Sequence, residues 1–109
     1  KGYMAVTFEY EDTKYTLEFN RNAVTLMEKG GFRLDQIGER PATLIPMLFE
    51  GAFLMHHRRV KEEKVHEIYK HVEDKEGLIV KLANMYQETV SSVLEEDDKD
   101  TKKISWEVQ

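Results

Sequence analysis

The chain has 109 residues, with 16 Lys and Arg against 21 Asp and Glu, a formal net charge of −5 and no cysteine. A chain of this length buries about two thirds of its unfolded surface, enough for one core, so residues 1–109 are expected to form a single domain. The acidic balance opposes sequence-independent attraction to nucleic acid and anionic membrane, and the missing thiols exclude a disulfide framework, a zinc ribbon and a cysteine nucleophile.

Met4, Val6, Phe8 and Tyr10 alternate with Ala5, Thr7 and Glu9, and Tyr15, Leu17 and Phe19 alternate with Thr16, Glu18 and Asn20. Period two on both sides of the polar link Glu11-Asp12-Thr13-Lys14 predicts an N-terminal β-hairpin over about 4–20, whose apolar face must rest on other elements. Asn20 is placed as an N-cap ahead of Ala23, Val24, Leu26 and Met27, and Gly30-Gly31 stops that short helix. Phe32, Leu34 and Ile37 continue into a second short turn or helix ending near Gly38.

Between Pro41 and Met55 the only charged residue is Glu50, which predicts a helix buried on several sides. Thr43 as N-cap would put Pro46 in the first turn, where a missing N–H costs nothing; a start at Pro41 would force a kink at Pro46, so the later start is preferred. The run is shorter than the ~20 residues that cross a bilayer, and no basic and apolar leader opens the chain, so a membrane span or export signal is not expected. Val65, Ile68, Tyr69 and Val72 fall on one face of an amphipathic helix. Asp74 offers the next N-cap, and Leu78, Ile79, Leu82, Ala83, Met85, Tyr86, Val90, Val93 and Leu94 share one arc of a helical wheel. The helical core thus covers about 21–94. Residues 95–103 are charged except for Thr101, the composition of a solvated linker. In the terminal segment 104–109, Ile104, Trp106 and Val108 alternate with Ser105 and Glu107, so a third strand can join the hairpin. The fold class expected is α+β, mainly α, with the hairpin packed on the helical core.

Chemistry is sparse. His56, His57, His66 and His71 lie within sixteen positions, and Glu63-x-x-His66 has the spacing by which di-iron helices present ligands. Such a site needs the motif twice, with further carboxylates, and it occurs once. Glu62 with His66 and Glu67 with His71 are i, i+4 pairs, which explains the pattern as salt bridging, so no metal site is expected. His56-His57-Arg58-Arg59 with Lys61 and Lys64 reads either as a patch for an acidic partner or, preferably, as a solvated helix end whose positive charge complements the dipole. No phosphate-binding glycine loop follows a strand, and Ser91, Ser92 and Ser105 stand in no nucleophile elbow. Gly51 is expected to allow close helix packing. Met47, Met55 and Met85 suit either an adaptable groove or, more commonly, core. The expectation is a protein without catalytic residues or cofactor.

Tyr15-Thr16-Leu17-Glu18-Phe19-Asn20-Arg21 after the first strand, the block Leu48 to Arg58, the helix Leu78 to Tyr86, and Ser105-Trp106-Glu107 after an acidic linker resemble, in order and spacing, the tail assembly chaperones of long-tailed phages and prophages of Gram-positive bacteria. The resemblance covers nearly the whole chain. It implies a non-enzymatic virion assembly role in the host cytoplasm: coating the tape measure protein, keeping it soluble, and helping tail tube subunits polymerise around it before release, so that the chaperone is absent from the mature virion. Many relatives also have a longer frameshifted form whose extension recruits the tube protein; this sequence contains no such extension. No partner-binding residues carry over. A holdase needs exchangeable apolar surface and a charged exterior, which this composition allows, and so apolar a central helix in so small a domain also points to homo-oligomers. The alternative is a small phage or bacterial adaptor or regulatory protein with one fixed protein or nucleic-acid partner. The best basic segment, Arg58 to Lys64, contains Glu62 and Glu63, which is poor for a recognition helix.

Overall fold

The computed structural model describes residues 4–95 and 102–109. It is an α+β fold, mainly helical: strands β1 (Val6–Tyr10) and β2 (Thr13–Leu17), then helices α1 (Arg21–Lys29), α2 (Pro41–Gly51), α3 (Glu62–Lys70) and α4 (Lys75–Leu94), with a single 3₁₀ turn at Leu34–Gln36 before α2.

The hairpin is antiparallel, with Val6 opposite Leu17, Phe8 opposite Tyr15 and Tyr10 opposite Thr13. The link between strands is two residues long and not four. Glu11 and Asp12 both have positive φ, 52° and 67°, the backbone of a type I′ turn, whose twist matches that of the strands it joins. Thr13 and Lys14 therefore belong to β2, and Lys14 faces Glu9 across the ladder. As expected from the period, Tyr15, Leu17 and Phe19 are buried and Phe8 stacks on Tyr15 at 5.4 Å.

Asn20 caps α1, its side chain accepting from Ala23 N–H at 2.9 Å. The helix ends in a Schellman motif: Phe32 N–H donates to Met27 O and Gly31 N–H to Glu28 O, with Gly31 at φ +102°, a conformation glycine adopts without strain. The reversal drives Phe32 into the core against Tyr86, their rings 4.9 Å apart.

Helix α2 starts at Pro41, so the preferred start at Thr43 is corrected and Pro46 lies inside the helix. The carbonyl that Pro46 leaves without an i−4 donor belongs to Ala42, an exposed residue of the first turn, where an unpaired carbonyl costs least. The earlier start places Leu44 one turn before Leu48, and both are buried with Phe49. Gly51 meets α1 side by side. A Cβ there would overlap the thioether of Met27, so the expected close packing is found.

Asp74, at φ 56°, caps α4 by accepting from Gly77 N–H at 3.1 Å. Along α4, Leu82, Met85 and Tyr86 are buried and Leu78, Ile79, Ala83 and Val90 pack around them. One core cluster joins the hairpin to all four helices.

Residues 102–109 form no strand, and the sheet has two strands. Ile104, Trp106 and Val108 are 87, 80 and 86 % exposed. The outer edge of β2 is closed to them, because Thr16 N–H donates to His57 Nε2 and Glu18 N–H to Ala52 O. Among the described residues only β1 has an edge to offer, and residues 102–109 do not pair with it.

Candidate functional site

Of the four imidazoles, His56 and His57 lie in the connection after α2, and His66 and His71 lie in α3 and at its C-cap; each is held by its own contact. After α2 the chain turns back over β2, and His57 is held there between Tyr15 and Phe53, at ring distances of 5.2 and 6.2 Å. Its Nε2 accepts from Thr16 N–H at 2.9 Å, so the neutral ring carries its proton on Nδ1. Burial, and then the neighbouring His56, hold its pKa below the ordinary histidine value. His56 is paired at 2.7 Å with the carboxylate of Glu18, a buried acid in the last position before the core aromatic Phe19. His71 tilts against the Tyr10 ring at 5.5 Å and not against Glu67.

Glu67 is taken by Tyr10, whose hydroxyl donates to it at 2.6 Å. That bond, with burial and the charges of Glu11 and Glu67 adding, pushes the Tyr10 pKa up to about 12, and the same bond lowers that of Glu67. Lys64 completes the group, reaching Glu11 at 3.2 Å and lying 5.7 Å from the Tyr10 ring centroid. The hydrogen bond to Glu11 raises its pKa. This network fastens the hairpin turn to α3.

The Glu63-x-x-His66 pair does not converge. His66 instead meets Glu50 at 2.5 Å and Glu62 at 3.9 Å, and these three could each offer one ligand atom within a 4.8 Å group. A hydrogen bond from the His66 ring to Glu50, with Glu62 one helical turn away, accounts for the same geometry, and His66 is half exposed. The i, i+4 pairing expected of Glu62 with His66 is present; that of Glu67 with His71 gives way to Tyr10. Glu18 and Glu50 are the partners sequence reasoning missed. Glu50 had a signal, being the only charge in the apolar run.

Arg58, Arg59 and Lys61 are exposed, but not at a helix C-terminus as expected. They occupy the connection between α2 and α3, with Lys61 at the N-cap of α3. The dipole at that end favours the Glu62 and Glu63 that follow, and Lys64 is drawn into the Tyr10 network. Met85 is core, Met47 packs against the core, and Met55 lines a shallow surface depression with His56 to Val60.

An apolar cleft of about 440 Å³ lies between β1 and the α3–α4 corner, lined by Val6, Phe8, Tyr10, Ile68, Val72 and Leu78, together with Glu9, His71 and Glu73. A second, more polar recess of about 320 Å³ lies where Met4 meets Ser92 and Val93 near the end of α4, with Glu18 and Arg21 in its lining. Among the described residues, side chains converge as ion pairs, caps and ring contacts. No helix among them is long and apolar enough to cross a membrane.

No curated protein and no solved structure gives a significant match to the chain. Residues 3–109 match one family model, described as a domain of unknown function (DUF5055), and with nearly its whole length covered the protein belongs to that family.

Proposed function

We propose that this protein is a tail assembly chaperone that binds the tape measure protein of a long-tailed phage or prophage, keeps it soluble, and thereby promotes assembly of the tail tube around it. It acts by covering surface and without catalysis, in the cytoplasm of the host, and leaves before the virion is complete. The supporting sequence argument is the ordered resemblance from Tyr15 to Glu107. The structural observation that carries the reading is the segment Ile104-Ser105-Trp106-Glu107-Val108, whose three large apolar side chains are 80 to 87 % exposed on an otherwise charged chain of net charge −5. Exposed apolar groups of that size mark surfaces that meet other molecules, and the surrounding charge keeps the complexes apart.

Co-expression with the tape measure protein of the same phage tests this. The expected product is a soluble complex with many copies of this chain per client, because a client of great length presents far more surface than the ~800 Å² that one partner of this size covers. Multi-angle light scattering measures the ratio. A one-to-one complex would assign the protein to the fixed-partner adaptors, and a client that stays insoluble at every ratio would remove the chaperone reading.

A further inference from the structure

Among the described residues the hairpin has one closed edge and one open edge. Thr16 N–H and Glu18 N–H point away from β1, to His57 and Ala52, which makes Thr7 with Thr16 a non-hydrogen-bonded pair. By the same parity the backbone N–H and C=O groups of Thr7 and Glu9 face outward from β1. Among the described residues none of these four groups has a hydrogen-bond partner, and an unpaired row of this kind is a template for another strand. Beside that edge lies the cleft lined by Val6, Phe8, Ile68, Val72 and Leu78.

The terminal segment has the complementary pattern. Ile104, Trp106 and Val108 share one face by strand period and Ser105 and Glu107 the other. We infer that the open edge of β1 takes residues Ile104 to Val108 of a second copy of the chain as an antiparallel third strand. Ile104 then stands beside Tyr10, Trp106 beside Phe8 and Val108 beside Val6, all toward the cleft, while Ser105 stands beside Glu9 and Glu107 beside Thr7 on the polar face.

Charge selects the direction. Antiparallel pairing brings Lys102 and Lys103 toward Glu9 and Glu11 at the turn and leaves Glu107 next to a threonine. Parallel pairing with the same alternation sets Glu107 beside Glu9, two like charges in adjacent strands. The direction in turn selects the donor. The end of α4 lies at the Met4 end of β1, where Ser92 and Val93 share a recess with Met4. A segment that turned directly from there along its own β1 would be parallel, the disfavoured arrangement; a second copy can approach from the turn end with no reversal. In the single chain donor and acceptor are both on view and are not joined. This inference concerns the protein without its client, which would compete with the second copy for the same segment, and it stands whether or not the client is a tape measure protein.

Trp106 is the only tryptophan, so its emission reports the segment directly. In purified full-length protein we expect the emission to shift to the blue with rising concentration, in step with a rise in mass by light scattering from one chain to at least two. Trp106→Ser, in an exposed position that cannot disturb the core, should hold the mass at one chain. Thr7→Pro should do the same by removing an outward N–H. The chain lacks cysteine, so Glu9→Cys and Ser105→Cys, made separately and mixed, should be joined by a short bismaleimide into a heterodimer. Blue emission at every concentration with the mass of one chain would mean the segment docks on its own β1 and would overturn the proposal. So would a mass that stays at one chain up to the solubility limit, or an oligomer in which Trp106 keeps the emission of exposed indole.

Discussion

Phe49 and Phe53 stand one turn apart around the end of α2, their rings 5.2 Å apart and both almost fully buried. Truncation of either to Ala should cost about 3–5 kcal/mol in a urea titration, because the surrounding rings of Tyr15 and Tyr69 cannot close the space. Gly51→Ala should cost about 1–3 kcal/mol by pressing on Met27. His57 gives a pH dependence whose sign follows from its lowered pKa. The unfolded imidazole takes up a proton near 6.5 before the folded one does, so stability is full above that pH and falls as pH drops toward the folded value. His57→Gln should flatten this part of the stability profile. Tyr10 acts at the other extreme: its raised value means stability is present below the ordinary tyrosine range and is lost as pH rises from about 10 toward about 12. In a spectrophotometric titration of the five tyrosines, Tyr10→Phe should remove the latest component, with burial delaying Tyr86 as well.

At the scale of elements, period and caps were legible because each rests on a local rule. The hairpin faces, the Asn20 and Asp74 caps and the Gly31 stop all depend on residues within a few positions of one another. The misreadings arose where a local rule met a distant partner. Thr13 and Lys14 look like turn residues by polarity, but the turn is set by the positive φ of Glu11 and Asp12, which composition does not announce. Neither residue is glycine, so Asp12→Gly should raise stability by up to about 1 kcal/mol, as a shift in the thermal midpoint. Pro46 argued for a later start to α2, yet the freed Ala42 carbonyl faces solvent while Leu44 gains a place in the core. The imidazoles seemed a group because they are near in sequence. Their partners, Glu18, Thr16, Glu50 and Tyr10, come from β1, the β2 region and α2, and such long-range pairings have no period to read.

For the whole molecule, the one grouping of carboxylates and imidazole with ligand-like spacing among the described residues, Glu50 and Glu62 with His66, is also accounted for by ion pairing. Protein purified without an affinity tag should contain no stoichiometric transition metal by elemental analysis; one ion per chain, lost on His66→Ala, would reassign the Glu50, Glu62 and His66 group as a binding site. Helix α2 touches α1, α3, α4 and the 3₁₀ turn, and that central position has a kinetic consequence. No fluctuation can bare its backbone while the remaining helices keep their neighbours, so the amide protons of Leu48 and Phe49 should exchange with deuterium only through opening of the entire fold, at rates set by the global free energy. The last turn of α4, with Leu94 exposed, can fray by itself and should exchange orders of magnitude sooner. A denaturant series that merges the two ends of that range at one concentration would mark the point where global opening overtakes every local one.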